Sequence, residues 1–187
     1  SGTIAGTLES YDAYEKTTNG IPALNDRYAT SEVVDDALTW LAGQGGGPWV
    51  LWVAFNAAHT PFHAPPDELH SYDLTGLDSE TDPAPFFQAM IEGMDTEMGR
   101  LLEGIDRNNT VIIYVGDNGS MTSVNQSAYP QGHGKGTLGE GGVHVPLVVA
   151  GPGIPQGRVD AMVHAVDLHA TVPVSYTHLT LPTTYTV

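Results

Sequence analysis

The stretch Thr110 to Pro146, TVIIYVGDNGSMTSVNQSAYPQGHGKGTLGEGGVHVP, decides how this chain folds. It opens with an apolar, β-branched run, Val111-Ile112-Ile113-Tyr114-Val115, and turns at Gly116-Asp117-Asn118-Gly119. A polar loop then reaches Gly132-His133-Gly134-Lys135-Gly136-Thr137-Leu138-Gly139-Glu140-Gly141-Gly142, and a second apolar run spans 145–150. A short apolar run bounded by Gly and Asn reads as a buried strand. Asp117 and Asn118 then stand just past a strand's carboxyl end, where open α/β sheets bind ligands. Two adjacent oxygen donors there suit a hard cation, calcium or magnesium. Taken alone, Asp-Asn-Gly is equally well read as a turn, because Asn-Gly favours positive φ.

The Gly-rich loop contains Gly134-x-Gly136-x-x-Gly139, a nominal dinucleotide fingerprint, but it does not directly follow a strand, and Gly141-Gly142 are expected to forbid a helix after it. It also fails as a phosphate-binding Walker loop. Tyr129 stands where the first Gly should be, and Gly136 follows Lys135 in place of Ser or Thr. What remains is a loop with six glycines and one cation, Lys135, suited to close backbone approach to an anionic oxygen cluster. Viewed by itself it reads better as a floppy surface loop.

Upstream, Thr30 or Ser31 can N-cap a helix whose apolar face is Val34, Ala37, Leu38 and Leu41, ended by the glycines at 43–47. Residues 1–29 have no clean period and read as loop. Trp49 to Ala54 is a second candidate buried strand, so His59 lies past a strand end as Asp117 does. His59 and His63 are four apart, but Pro61 between them prevents a helix from holding both as zinc ligands. Residues 66–85 are an acidic, Pro-punctuated connection. From Pro85 to Ile105, Phe87, Met90, Ile91, Met94, Met98, Leu101, Leu102 and Ile105 repeat with helical spacing and predict a helix lying on the sheet. Residues 159–172 read as mixed and partly helical from Asp167. Strand, helix and strand alternate, so the class is α/β.

The chain has 187 residues and a net charge of −16, from 22 acidic and 6 basic residues. That balance disfavours non-specific binding to nucleic acid or to an anionic membrane. There is no cysteine, which excludes disulfides, thiolate metal sites and a Cys nucleophile within this stretch. No apolar run approaches the length that crosses a bilayer. Residues 174–187, VSYTHLTLPTTYTV, carry no Asp, Glu, Lys or Arg, in a chain that is 15% charged. They resemble translated adapter read-through and are set apart from the domain at 1–173 as a non-native tail, against the alternative of a Thr-rich edge strand.

Four blocks in order resemble the sulfatase family, of the alkaline-phosphatase-like superfamily. Tyr28-Ala29-Thr30 through Ala37 is similar to a family helix. WVAFNAAHTPFHAP (52–65) is similar to a strand followed by the N-x-P-H-x-P loop, with Ala58 in place of the usual proline. Ala89 to Leu102 and then Val111 to Gly119 resemble an M-x-x-x-M-D-x-x-x-G-R-L-L helix followed by a strand ending D-N-G. KGTLGEGGVHVPLVVAGPG (135–153) resembles the K-G-T-x-x-E-G-G-x-x-V-P block, and Val166-Asp167-Leu168 a later V-D-L.

The resemblance implies a central mixed sheet flanked by helices and hydrolysis of sulfate monoesters. Asp117 and Asn118 would be calcium ligands, with magnesium also acceptable. Lys135 would contact the sulfate oxygens, and His59 the ester oxygen, protonating the leaving group. The substrate would be a sulfated small molecule or glycan, and the location periplasmic or secreted. The family nucleophile is a metal-bound formylglycine, made from the first residue of C-x-P-x-R or S-x-P-x-R. Neither motif is present here. The chain therefore reads as an internal fragment, the second half of the catalytic domain, inactive on its own. A phosphoester or phosphonate ester hydrolase of the same superfamily, and a non-catalytic relative binding ions or glycans, are the alternatives.

Overall fold

The computed structural model of the chain describes residues 10–125, 129–130 and 132–180. Two helices follow an N-terminal hairpin, and strands and helices then alternate: β1 (Tyr14–Thr18), β2 (Ile21–Asn25), α1 (Ala29–Ala42), α2 (Pro83–Glu103), β3 (Ile112–Val115), α3 (Glu140–Val143), β4 (Leu147–Ala150) and α4 (Ala165–Thr180). Two antiparallel pairs form, β1 with β2 and β3 with β4.

The hairpin replaces the loop expected at its position. Asn19 (φ 52) and Gly20 (φ 83) make a two-residue turn with both φ positive, the geometry that matches strand twist. The strands carry little apolar alternation because β2 is largely exposed. Helix α1 begins at Ala29, with Tyr28 as N-cap and no side-chain cap. Neither Thr30 nor Ser31 caps it. Thr30 is buried, and Ser31 Oγ donates to Glu97 Oε1 of α2 at 2.7 Å. Trp49 to Ala54 has no ladder partner among the described residues. It still alternates: Leu51, Val53 and Phe55 pack on the cluster of Val34, Ala37 and Leu101, whereas Val50 and Trp52 face outward. The acidic connection holds one short 3-10 turn, Asp67–Leu69. Helix α2 buries Met90 and Met94 in the packing role expected of them. Helix α4 starts ahead of Asp167, whose Oδ2 accepts the His164 N–H at 2.8 Å, and continues through Thr180. Residues 181–187 lie outside the described part.

Charge as well as apolar packing joins α1 to α2. Glu97, 4% exposed, accepts from Ser31 and pairs with Arg100 at 2.6 Å. Arg100 also pairs with Asp35 at 2.7 Å, and Arg27 bridges Asp35 and Glu32. Lys16 of β1 pairs with Glu32 and Asp36 at 2.6 and 2.7 Å, tying the hairpin to α1. Burial by itself would raise the Asp35 carboxyl, but Arg100 and Arg27 hold it below its ordinary value. A carboxyl lowered on folding contributes stability above its unfolded pKa and loses it as pH falls through the folded value.

Arg100→Ala leaves the Glu97 carboxylate buried with one hydroxyl donor. Breaking a fully buried pair costs ~3–5 kcal/mol and an exposed pair under ~1, so this half-open arginine is worth about 2 kcal/mol. Arg158→Ala breaks an exposed pair with Asp160 and costs under about 0.5 kcal/mol. Urea denaturation of the full-length protein at neutral pH measures both, and equal losses would refute the assignment.

Candidate functional site

The β3–β4 register decides what meets at the site. Val115 pairs with Leu147, so the carboxyl end of β3 lies beside the segment entering β4. The Asp-Asn-Gly loop and the Gly-rich loop therefore emerge at the same end of the pair. Three backbone hydrogen bonds join this region: Gly116 N–H to Pro146 O at 3.0 Å, Gly119 N–H to Gly142 O at 2.9 Å, and Lys135 N–H to Ser120 O at 2.8 Å.

Glycine is required where the loops cross. A Cβ on Gly119 would stand 1.8 Å from Gly141 O, and one on Gly142 would stand 2.4 Å from Thr137 O. Neither Gly116 nor Gly119 has a positive φ; close backbone approach is what requires Gly119. Gly141-Gly142 also do not prevent a helix. They lie inside the single turn α3, closed by His144 N–H to Glu140 O at 2.9 Å. One turn is no Rossmann helix, so the dinucleotide reading still fails.

Asp117 and Asn118 are both exposed and in contact. The Asn118 backbone N–H and side-chain Nδ2 donate to Asp117 Oδ1 at 2.8 and 3.1 Å. Their side chains thus lie on the same side of the turn, leaving Asp117 Oδ2 and Asn118 Oδ1 for another partner. No group of three His, Cys, Asp or Glu with metal-site geometry occurs among the described residues. Carboxylate and amide oxygens are donors of the type that hard cations take, but two of them are only part of such an ion's shell. Lys135 is exposed, and its ammonium makes no hydrogen bond or ion pair among the described residues; Lys16, the other lysine, is held in ion pairs.

His59 lies on a different segment, the turn after residue 54. No hydrogen bond or ion pair joins it to Asp117, Asn118 or Lys135. Its Nδ1 is 3.0 Å from Thr60 O, which places the proton on Nδ1 in the neutral ring and leaves Nε2 free. The turn closes by His59 N–H to Asn56 O at 2.8 Å. Tyr11, which nothing in the sequence marked, shares its single hydroxyl proton between Asn56 O at 2.7 Å and His59 O at 2.9 Å. His63 is structural: Nε2 lies 3.2 Å from the Tyr28 hydroxyl and Nδ1 3.1 Å from Pro61 O, and burial lowers its pKa. His133 is a loop residue whose ring packs beside Gly139. Neither of two surface cavities, about 570 and 440 Å³, is lined by any of the four candidate residues.

The sulfatase family model matches residues 3–173. The chain belongs to the sulfatase family. Over 167 residues it is 28% identical to the uncharacterized sulfatase YdeN of Escherichia coli (strain K12), a match covering 83% of this chain and 28% of that protein. Arylsulfatase J of Mus musculus is 28% identical over 170 residues, covering 87% and 28%. The crystal structure of Ps i-CgsB in complex with k-i-k-neocarrahexaose superposes with a TM-score of 0.71 at 28% identity, over 86% of this chain and 36% of that one. The elements thus have the alkaline-phosphatase-like arrangement of sulfatases, and the chain spans little more than a quarter of the curated relatives it matches.

In the full-length sulfatase, Gly119→Ala forces the two loops apart. Such overpacking costs about 1–3 kcal/mol. Amide exchange at Gly119 and Lys135 should accelerate in this variant. In Gly46→Ala, where an added Cβ meets nothing within 4 Å, neither amide should change. Unchanged exchange in Gly119→Ala would show that the loops are not locked together.

Proposed function

We propose that this chain is the second half of a sulfatase catalytic domain and that the full-length protein hydrolyses sulfate monoesters of a glycan or small molecule. The docking of the two loops carries the reading. It holds an oxygen-donor pair and the lysine without an ion-pair partner on neighbouring backbone, at a strand's carboxyl end. A chain of net charge −16 repels a sulfate ester at long range, so capture requires concentrated local positive charge.

Asp117 and Asn118 hold calcium, with magnesium as the other ion their oxygens suit. The ion supplies fixed positive charge to the sulfate oxygens, and a formylglycine outside this chain supplies the nucleophile. Lys135 neutralises further sulfate oxygen charge, which matters most as that charge shifts during transfer. His59, with Nδ1 tied to Thr60 O, presents Nε2–H in its protonated state to the ester oxygen. As the S–O bond breaks, that proton passes to the leaving oxygen, which departs as an alcohol.

Kinetics on the full-length protein test these roles. Lys135→Ala should lower kcat/KM for aryl sulfates by about 100-fold or more, the scale of a preorganised charge facing the reacting group. His59→Ala should reduce hydrolysis of a sugar or alkyl sulfate far more than that of nitrophenyl sulfate, whose leaving group needs little protonation. A faster reaction on nitrophenyl phosphate than on the sulfate, or equal losses on both sulfates in His59→Ala, would overturn the reading.

A further inference from the structure

We propose that Tyr11 is a positioning residue for His59: its buried hydroxyl, shared between the carbonyl oxygens of Asn56 and His59, fixes where the exposed imidazole stands. This rests on the role given to His59 above.

Tyr11 is 2% exposed and belongs to a buried cluster with Tyr14, Tyr28, Ala29, Leu69 and Met90. Its backbone is fixed before its side chain acts. Ser10 Oγ accepts the N–H groups of Asp12 and Ala13 at 3.1 and 3.2 Å. The Tyr11 carbonyl accepts the Ala29 N–H at 2.8 Å, one of the first-turn donors that a helix leaves without an internal partner. Its ring lies 4.3 Å from the His63 imidazole and 6.2 Å from the Tyr28 ring. The phenol thus projects rigidly from the start of α1 to a turn 48 residues away.

At that turn the hydroxyl bonds the carbonyls of Asn56 and His59. These are the first and last residues of the turn that the His59 N–H closes. Just beyond, the Tyr28 hydroxyl and Pro61 O hold His63, so both flanks of His59 are tied to the start of α1. The imidazole itself is exposed, and among the described residues its hydrogen bonds are the local ones of Nδ1 with Thr60. Its position is therefore inherited from the backbone, and the backbone from two phenols. Burial, and the nearby Tyr28, push the Tyr11 phenol well above its ordinary pKa, so it remains a donor.

Tyr11→Phe keeps the ring and removes the donor. In the full-length protein it should lower kcat on a sugar or alkyl sulfate by roughly 10- to 100-fold, the scale of a ~1 Å misplacement. KM should stay unchanged, and the loss on nitrophenyl sulfate should be small. Tyr11→Phe combined with His59→Ala should be no worse than His59→Ala alone. Exchange of the His59 amide should accelerate in Tyr11→Phe. Tyr14→Phe, whose hydroxyl meets Asn25 instead, should change neither the kinetics nor that amide. If Tyr11→Phe matches Tyr14→Phe, or its loss is uniform across substrates and adds to that of His59→Ala, the proposal falls. If His59→Ala shows no leaving-group dependence, the general-acid reading fails separately, and exchange at the His59 amide alone decides whether Tyr11 sets the turn.

Discussion

The site depends on one close crossing of main chains, where Gly119 N–H meets Gly142 O at 2.9 Å with no side chain between. A Cβ on Gly119 would fall 1.8 Å from Gly141 O, so no other residue permits this approach. The crossing turns the antiparallel register of β3 and β4 into a functional arrangement. It brings the backbone of Lys135 to Ser120, two residues past Asn118, although 16 residues separate Asn118 from Lys135 in sequence.

A second, separate support carries the remaining candidate. His59 rides on a turn that reaches the rest of the protein through Tyr11 and, just beyond, through Tyr28 and His63. All three belong to the packing around the start of α1. That end is in turn held to α2 by the buried Glu97 and by Arg100. Tyr11, Tyr28, His63, Glu97 and Arg100 thus link the helix pair to an exposed side chain through named hydrogen bonds and ion pairs.

Much of this was legible in the sequence where the signal was local. The apolar run at 111–115, the Asp-Asn-Gly turn and the helical spacing of Met90, Met94 and Leu101 each reappear at or near their expected places. The sequence misled where pairing or burial is non-local. Asn19-Gly20 is a strong hairpin turn, but Pro22 and an exposed second strand hid the strands on either side of it. Trp49 to Ala54 alternates like a strand yet has no ladder, because alternation records a buried face and says nothing of a neighbour. Tyr11 carries no motif at all. Its importance lies in two hydrogen bonds to backbone far along the chain, which no residue type announces.

The most direct test of the site is metal analysis of the full-length protein with anomalous diffraction from its crystals. The expected result is one calcium or magnesium, with calcium about 2.3–2.6 Å from side-chain oxygens of both Asp117 and Asn118. It should be lost in Asp117→Ala and kept in Asp167→Ala, whose carboxylate is occupied with the His164 N–H. Stoichiometric zinc, or an ion bound without either residue, would contradict it.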